Sequence, residues 1–296
     1  MFRSSLNRKI FGVFGAVLMT FNSFAWGPWD KGAKLREKWF PHIGSSNYKD
    51  PILPFIYPDA QVTHSQFIML LEKLSAKQRR DLWKAINKDK EPSHEITAKE
   101  LEKELLWVSS SVVTYPFKNE VNYHETVKWL AKKNGVHPAE CAAATTFQLE
   151  RRIMEKIFAK LWDKLNPNQR KKILEEAGLD PNKSVAYAAL SASSLLATVG
   201  IASAVMGFSF YIIAAKTVVV VAAALVGASA ATTISAVALL CGPIGWTIAG
   251  IAAVSGALIL GGPNAMKTAA FVVALHSMKA AAMAKSGMDI SKYVLK

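Results

Sequence analysis

The sequence predicts an all-α protein: a bundle of amphipathic helices, followed by an Ala/Gly-rich apolar hairpin and a basic C-terminal helix. Apolar residues recur with a helical period from about His64 onward. Capping residues mark the junctions between successive helices. Residues 184–266 then run for 83 residues with a single charge, Lys216, whereas about 20 apolar residues suffice to cross a bilayer. Together these patterns predict helices throughout and a membrane as a central part of what the chain does.

The charge distribution divides the chain into two unequal parts. Of 296 residues, 36 are Lys or Arg and 22 are Asp or Glu, for a net charge of +14, and Asp289 is the only acidic residue after Asp180. This balance predicts an anionic partner, and an anionic bilayer attracts each basic residue by about 1 kcal/mol. Most basic residues sit beside acids on predicted helices, without interleaved aromatics, which argues against nucleic acid.

Residues 1–25 have the pattern of a secretory signal peptide. A basic start precedes the uncharged stretch 10–24, and small residues occupy the two positions that a signal peptidase inspects. Cleavage between Ala25 and Trp26 is expected. The alternative is an uncleaved anchor helix. Both predict an exported body, located in the periplasm, in a bacterial membrane or, after secretion, at a target membrane.

Residues 26–62 are rich in proline and aromatic residues, which predicts an irregular segment. Its aromatic side chains are expected to pack onto the helical body. The alternative is that they rest at a membrane interface.

Residues 63–183 form the predicted amphipathic helical domain. A first helix from about His64 leads to a Ser75/Gln78 capping box and a second helix that stops near Asn87. Later helices are predicted from about Thr97 and over 123–133. Pro138 marks another helix start, a long amphipathic helix follows and ends at about Leu165, and the last helix runs from Pro167 to Gly178.

The junctions at 71–82 and 162–173 share an acidic residue, a capping residue, a glutamine and two basic residues. This similarity indicates either an old duplication or, as we favour, two junctions that converged on the same capping rules.

The apolar tract, residues 184–266, is long but only moderately hydrophobic. Alanine makes up 22 of its 83 residues and is close to neutral for insertion. We predict helices over 185–210, 217–240 and 244–260, the last two paired as a membrane-inserting hairpin. Helix faces that consist of small residues would let these two helices pack closely, or would let two copies of the chain associate. The positions that define the breaks and the small faces are Lys216, Gly242, Pro243, Gly245, Gly250, Gly256, Gly261, Gly262 and Pro263. Lys216 is expected at a helix end, with a water-filled path as the alternative.

Residues 267–296 are predicted to form a basic amphipathic C-terminal helix and tail. The helix should span 264–285, and its Lys267, Lys279 and Lys285 are expected to lie on an anionic surface. The alternative is that this helix packs against the other helices.

The chain lacks the sequence signatures of catalysis and of metal or cofactor binding. The pairs His94-Glu95 and His124-Glu125 have no second histidine at the spacing of a zinc site. There is no nucleophile elbow, phosphate loop or dinucleotide fingerprint. Cys141 and Cys241, a hundred residues apart, do not suggest a disulfide framework. We therefore predict a protein that is not an enzyme and uses no cofactor.

Part of the chain resembles a known family. The segments HETVKWLAKKNGV, FAKLWDKLNPNQRKKIL and CGPIGWTIAGIAAVSG are similar to those of the YaaW-type family of uncharacterised bacterial proteins, over about half the chain. The resemblance implies amphipathic helices followed by an apolar hairpin and transfers no site. The layout is also similar, in class only, to the pore-forming domain of colicins.

These observations lead to three functional hypotheses. The first is an exported, toxin-like protein whose hairpin inserts into a membrane and forms a pore or perturbs the bilayer. The second is a constitutive integral membrane scaffold or assembly factor, whose helical domain binds a protein partner. The third is a soluble protein that buries its apolar helices completely.

Overall fold

A computed structural model describes residues 50–87, 92–110, 119–176, 181–195, 214, 217, 262–288 and 290–293. All regular secondary structure in these ranges is helical, which confirms the predicted all-α class. The main helices are α1 (His64–Lys73), α2 (Ala76–Asn87), α3 (Ala98–Ser109), α4 (Tyr123–Lys133), α5 (Pro138–Ala143), α6 (Thr146–Trp162), α7 (Pro167–Glu176), α8 (Pro181–Ala188) and α9 (Gly262–Lys285). Short 3-10 turns occur at Leu53–Phe55 and Ile290–Tyr293.

The predicted caps set the helix boundaries. The Ser75 amide donates to Gln78 Oε1 (2.8 Å) and the Gln78 amide donates back to Ser75 Oγ (3.2 Å), which completes the capping box of α2. Asn166 and Gln169 make the same reciprocal bonds at α7, with distances of 2.9 and 3.0 Å. The predicted helix over 123–133 is confirmed residue for residue.

The predicted helix over 185–210 is wrong at its start. Helix α8 ends at Ala188, the chain turns, and a new helical turn occupies 192–195. The break is stabilised from outside the segment, because the indole Nε1–H of Trp162 donates to the carbonyl of Leu190 at 3.2 Å. The amide of Ser194 also donates to Ser191 Oγ. Apolar periodicity continues through this turn, so the sequence pattern did not reveal it.

The two similar junctions share a contact as well as a sequence pattern. Arg79 and Arg170 occupy equivalent positions in them. The guanidinium of Arg79 donates back to the carbonyl of Leu74 and forward to that of Ile96 (2.6 Å). The guanidinium of Arg170 donates back to the carbonyl of Trp162 (3.0 Å) and forward to that of Leu190 (3.1 Å). In each case one arginine joins the end of the preceding helix to a loop further along the chain.

Arg170→Lys is expected to lower the free energy of unfolding by about 1–3 kcal/mol. Lysine lacks the guanidinium fork, whose Nε and Nη1 donate to the two carbonyls from separate positions, so a partly buried carbonyl loses its donor. Arg170 also lies over the Trp162 ring, 5.5 Å from its centroid. Urea unfolding followed by circular dichroism measures the loss. The exposed Arg80→Lys is the matched control and should change stability by less than about 0.5 kcal/mol. Equal effects of the two substitutions would contradict the bridging role.

Helix α9 forms the centre of the bundle. It packs against α2, α3, α4 and α6, and nearly every side chain from Ala265 to Met283 is buried. The predicted surface position of Lys279 is therefore wrong: its side chain is only 2% exposed. Lys267 and Lys285 are half-buried. The helix follows the alternative, packing against other helices, because its apolar residues cover its whole circumference.

No helix among the described residues is both long and apolar enough to cross a bilayer.

The segment 50–62 packs onto the bundle. Ile52, Ile56 and Val62 are buried in the common core, and Phe55 and Tyr57 lie against it. The packing prediction is confirmed for these residues. Residues 26–49 and the predicted signal peptide, residues 1–25, lie outside the described ranges.

Candidate functional site

The most unusual chemistry among the described residues lies on the central helix. Helix α9 carries His276 and Lys279 three residues apart, a spacing that places both on one face. That face meets Glu150 of α6 and Tyr123 of α4. We call these four residues the Glu150 cluster. Each is at most 2% exposed, although charged side chains are rarely buried unless they are paired.

The carboxylate of Glu150 is the centre of the cluster. Its Oε1 accepts hydrogen bonds from Tyr123 Oη (2.7 Å) and from Lys279 Nζ (2.6 Å). Its Oε2 lies 3.1 Å from His276 Nδ1 and also contacts Lys279 Nζ. Three groups from two helices therefore converge on one carboxylate. Such charge-assisted bonds are roughly twice as strong as neutral ones.

The surroundings shift the protonation equilibria of the cluster. Burial alone would raise the pKa of Glu150, but the Lys279 charge and the His276 hydrogen bond outweigh it and hold that pKa below its ordinary value. Burial lowers the pKa of His276, which Glu150 offsets only in part. Burial and the Glu150 charge together raise the pKa of Tyr123 well above its usual value. At neutral pH Glu150 is thus ionised, and neutral His276 donates from Nδ1 to it.

Aromatic rings enclose the charges. Lys279 Nζ lies 5.8 Å from the centroid of the Tyr123 ring and 5.6 Å from that of Phe147, a distance at which cations are attracted to ring faces. Phe67 stacks on Tyr123 at 4.3 Å, and Phe147 lies against the His276 ring at 4.6 Å. Because these rings exclude water, the attraction between Glu150 and Lys279 is screened much less than at a surface.

The flanks of the cluster are also polar. His124 Nδ1 lies 2.9 Å from the hydroxyl of Thr146, which accepts the amide hydrogen of Val62 at 2.8 Å. Burial lowers the pKa of His124. Further along α6, the buried Arg151 donates to Glu155 at 3.0 Å. Helix α6 thus carries buried polar groups on several sides.

This arrangement can hold α9 in position. Its four side chains are enclosed, so no solute reaches the carboxylate without displacing a helix. No group of three or more His, Cys, Asp or Glu side chains in the described part of the chain is arranged to hold a metal ion. A buried pair penalises any register of α9 that would leave a charge unpaired. The cluster therefore acts as a lock between α9 and α6.

The predicted site residues are placed as follows. Gly262 and Pro263 begin α9, and Lys267 and Lys285 lie near its two ends. Only Lys279 belongs to the cluster. The other predicted positions, namely Ala25, Trp26, Lys216, Gly242, Pro243, Gly245, Gly250, Gly256 and Gly261, lie outside the described residues.

Comparison with known proteins adds no relative. No family model, no curated protein and no solved structure matches the chain. The resemblances to YaaW-type proteins and to colicins remain predictions.

The sequence interpretation missed Glu150, His276 and Tyr123. A signal was nevertheless present. Glu150 shares a helix face with apolar residues such as Phe147 and Met154, where an acidic side chain is out of place. His276 and Lys279 are likewise polar residues at a spacing of three within an apolar helix. An acid on one apolar face and a base on another are the pattern of a buried pair.

Proposed function

We propose that this chain is an exported α-helical protein that inserts its apolar tract, residues 184–266, into a bilayer and permeabilises it. The observation that carries the proposal is the enclosure of α9. The bundle of amphipathic helices surrounds the helix that directly continues the tract. Amphipathic helices that cover apolar surface in this way would keep a chain with 83 nearly uncharged residues from aggregating in water.

The attachment of the tract to the bundle supports the same proposal. The chain enters the tract beside the C-terminal end of α6, where Leu190 accepts hydrogen bonds from Trp162 and Arg170. It returns as α9, where the hydroxyl of Thr268, just after the tract, donates to the carbonyl of Val108 on α3 at 3.3 Å. Both ends of the tract are thus held by the same helical bundle, which suits a hairpin that enters and leaves a bilayer on one side.

A constitutive integral membrane scaffold is the second candidate, and one observation favours it. The Glu150 cluster locks α9 to α6, so the bundle is built to persist rather than to open. In this alternative the bundle stays folded beside the membrane and binds a protein partner, and the tract serves as its anchor.

We expect residues 26–296 to release a self-quenched dye from vesicles that contain anionic phospholipid. Deleting 217–260 should abolish the release, because the predicted hairpin is removed. The point variant Leu225→Glu keeps the chain length and should reduce the release strongly, since an acid near a helix centre costs about 2.5–3.5 kcal/mol on insertion. Leu225→Val is its matched control and should retain the release.

Intact vesicles at saturating protein would overturn the permeabilising function. If such a protein also required detergent for extraction from cells, the scaffold function would stand in its place. Circular dichroism of each variant shows whether the bundle has remained folded.

A further inference from the structure

Three lysines form a basic ridge at the C-terminal end of α6. Lys156 and Lys160 lie on the helix, and Lys164 lies in the turn that follows it. Their spacing of four residues places them along one side of the helix. Lys156 and Lys164 are exposed, and Lys160 is half-buried.

The ridge concentrates positive charge on one side of α6. Like charges four residues apart on a helix repel each other. Burial and the neighbouring charge of Lys156 lower the pKa of Lys160. Within the described part of the chain, no ion pair involves Lys156 or Lys164. The nearby carboxylate of Asp163 is already used, since it accepts the amide hydrogen of Ala192 at 3.3 Å and lies 3.8 Å from Arg170.

The position of the ridge indicates what it meets. Trp162 and Asp163, between Lys160 and Lys164, bind Leu190 and Ala192, where the chain enters the apolar tract. Val185, in the helix α8 that leads to Leu190, is an apolar side chain that is 56% exposed. The C-terminal end of the ridge therefore lies beside the root of the apolar tract, and an exposed apolar side chain lies five residues before Leu190.

We propose that the Lys156–Lys160–Lys164 ridge docks on an anionic phospholipid surface and holds the root of the apolar tract against the headgroups. This inference rests on the proposed function and names its first membrane contact. Lysine is a compact point charge that suits many headgroup geometries, and each lysine near an anionic surface strengthens binding. Nucleic acid fits less well, because Phe158 and Trp162, the two aromatic residues between Lys156 and Lys164, are buried and cannot stack on a base.

Vesicle binding by residues 26–296 tests the ridge separately from dye release. The test variant is Lys156→Gln with Lys160→Gln and Lys164→Gln. The control is Lys99→Gln with Lys103→Gln and Lys132→Gln, which removes the same charge from exposed positions on α3 and α4. Partition is measured by co-sedimentation with phosphatidylcholine vesicles that contain or lack phosphatidylglycerol. At about fivefold for each of the two exposed lysines, the ridge variant should bind anionic vesicles at least roughly 25-fold more weakly, and the control should lose much less.

Equal losses in the two triple variants would overturn the inference, because net charge alone would then explain the binding. So would equal binding of the intact chain to vesicles with and without phosphatidylglycerol. If ridge-dependent binding occurs without dye release, the docking surface stands and the permeabilising function fails. If dye release persists but binding does not depend on the ridge, the function stands and this inference fails.

Discussion

Replacing Glu150 by glutamine is expected to lower the free energy of unfolding by about 3–5 kcal/mol, the usual cost of removing one partner of a buried ion pair. The substitution keeps the size of the side chain but leaves the Lys279 ammonium without a countercharge between the Tyr123 and Phe147 rings. Urea unfolding of residues 26–296, followed by circular dichroism, measures the loss.

Glu125→Gln is the matched control, because Glu125 also pairs with a lysine, Lys128, at 2.9 Å, but at the surface. Removing that pair should cost less than about 1 kcal/mol. The double variant Glu150→Leu with Lys279→Met should recover part of the loss, since apolar residues can replace a buried pair. If Glu150→Gln costs no more than Glu125→Gln, the cluster does not lock α9.

Acidification is expected to destabilise the bundle from about pH 6.5 downward. The folded-state pKa of His276 lies below its ordinary value of 6.5, so the unfolded chain takes up a proton first as the pH falls. Buried His124 acts in the same direction. The pKa of Glu150 also lies below its ordinary value of 4.5, so the folded state loses further stability as the pH falls below about 4.5. Each extra proton on the unfolded chain gives a slope of up to about 1.4 kcal/mol per pH unit.

The measurement is the free energy of unfolding in urea at a series of pH values between 7.5 and 4, for the intact chain and for His276→Gln. The variant should show a shallower decline between about pH 6.5 and 5, because His276 no longer titrates. Parallel curves for the two proteins would show that His276 does not contribute to the acid sensitivity.

Local features of the chain were predictable because their causes are local. The capping box at Ser75 and Gln78 and the helix over 123–133 depend on residues within a few positions of each other, so spacing alone locates them. The role of α9 was not predictable in this way. Lysine is usually exposed, and the partner that buries Lys279 lies 129 residues away in the sequence. The break after Ala188 has the same origin, since Trp162 holds it from another helix.

The two arginine junctions show how far a sequence match can be taken. The match predicted similar caps, and the structure adds the same two-way guanidinium contact at Arg79 and Arg170. The contact follows from the position of the arginine four residues after the cap, which both junctions share. Duplication and convergence therefore both remain hypotheses.

The central place of α9 has a consequence for how the protein is made. A ribosome synthesises the enclosing helices before α9, so these helices emerge without the central helix that they enclose in the folded chain. Contacts between residues that are this far apart in sequence form slowly. Until α9 is present, the amphipathic helices expose the apolar surface that α9 covers in the folded chain. The nascent chain is therefore expected to remain unfolded and dependent on chaperones until α9 has left the ribosome.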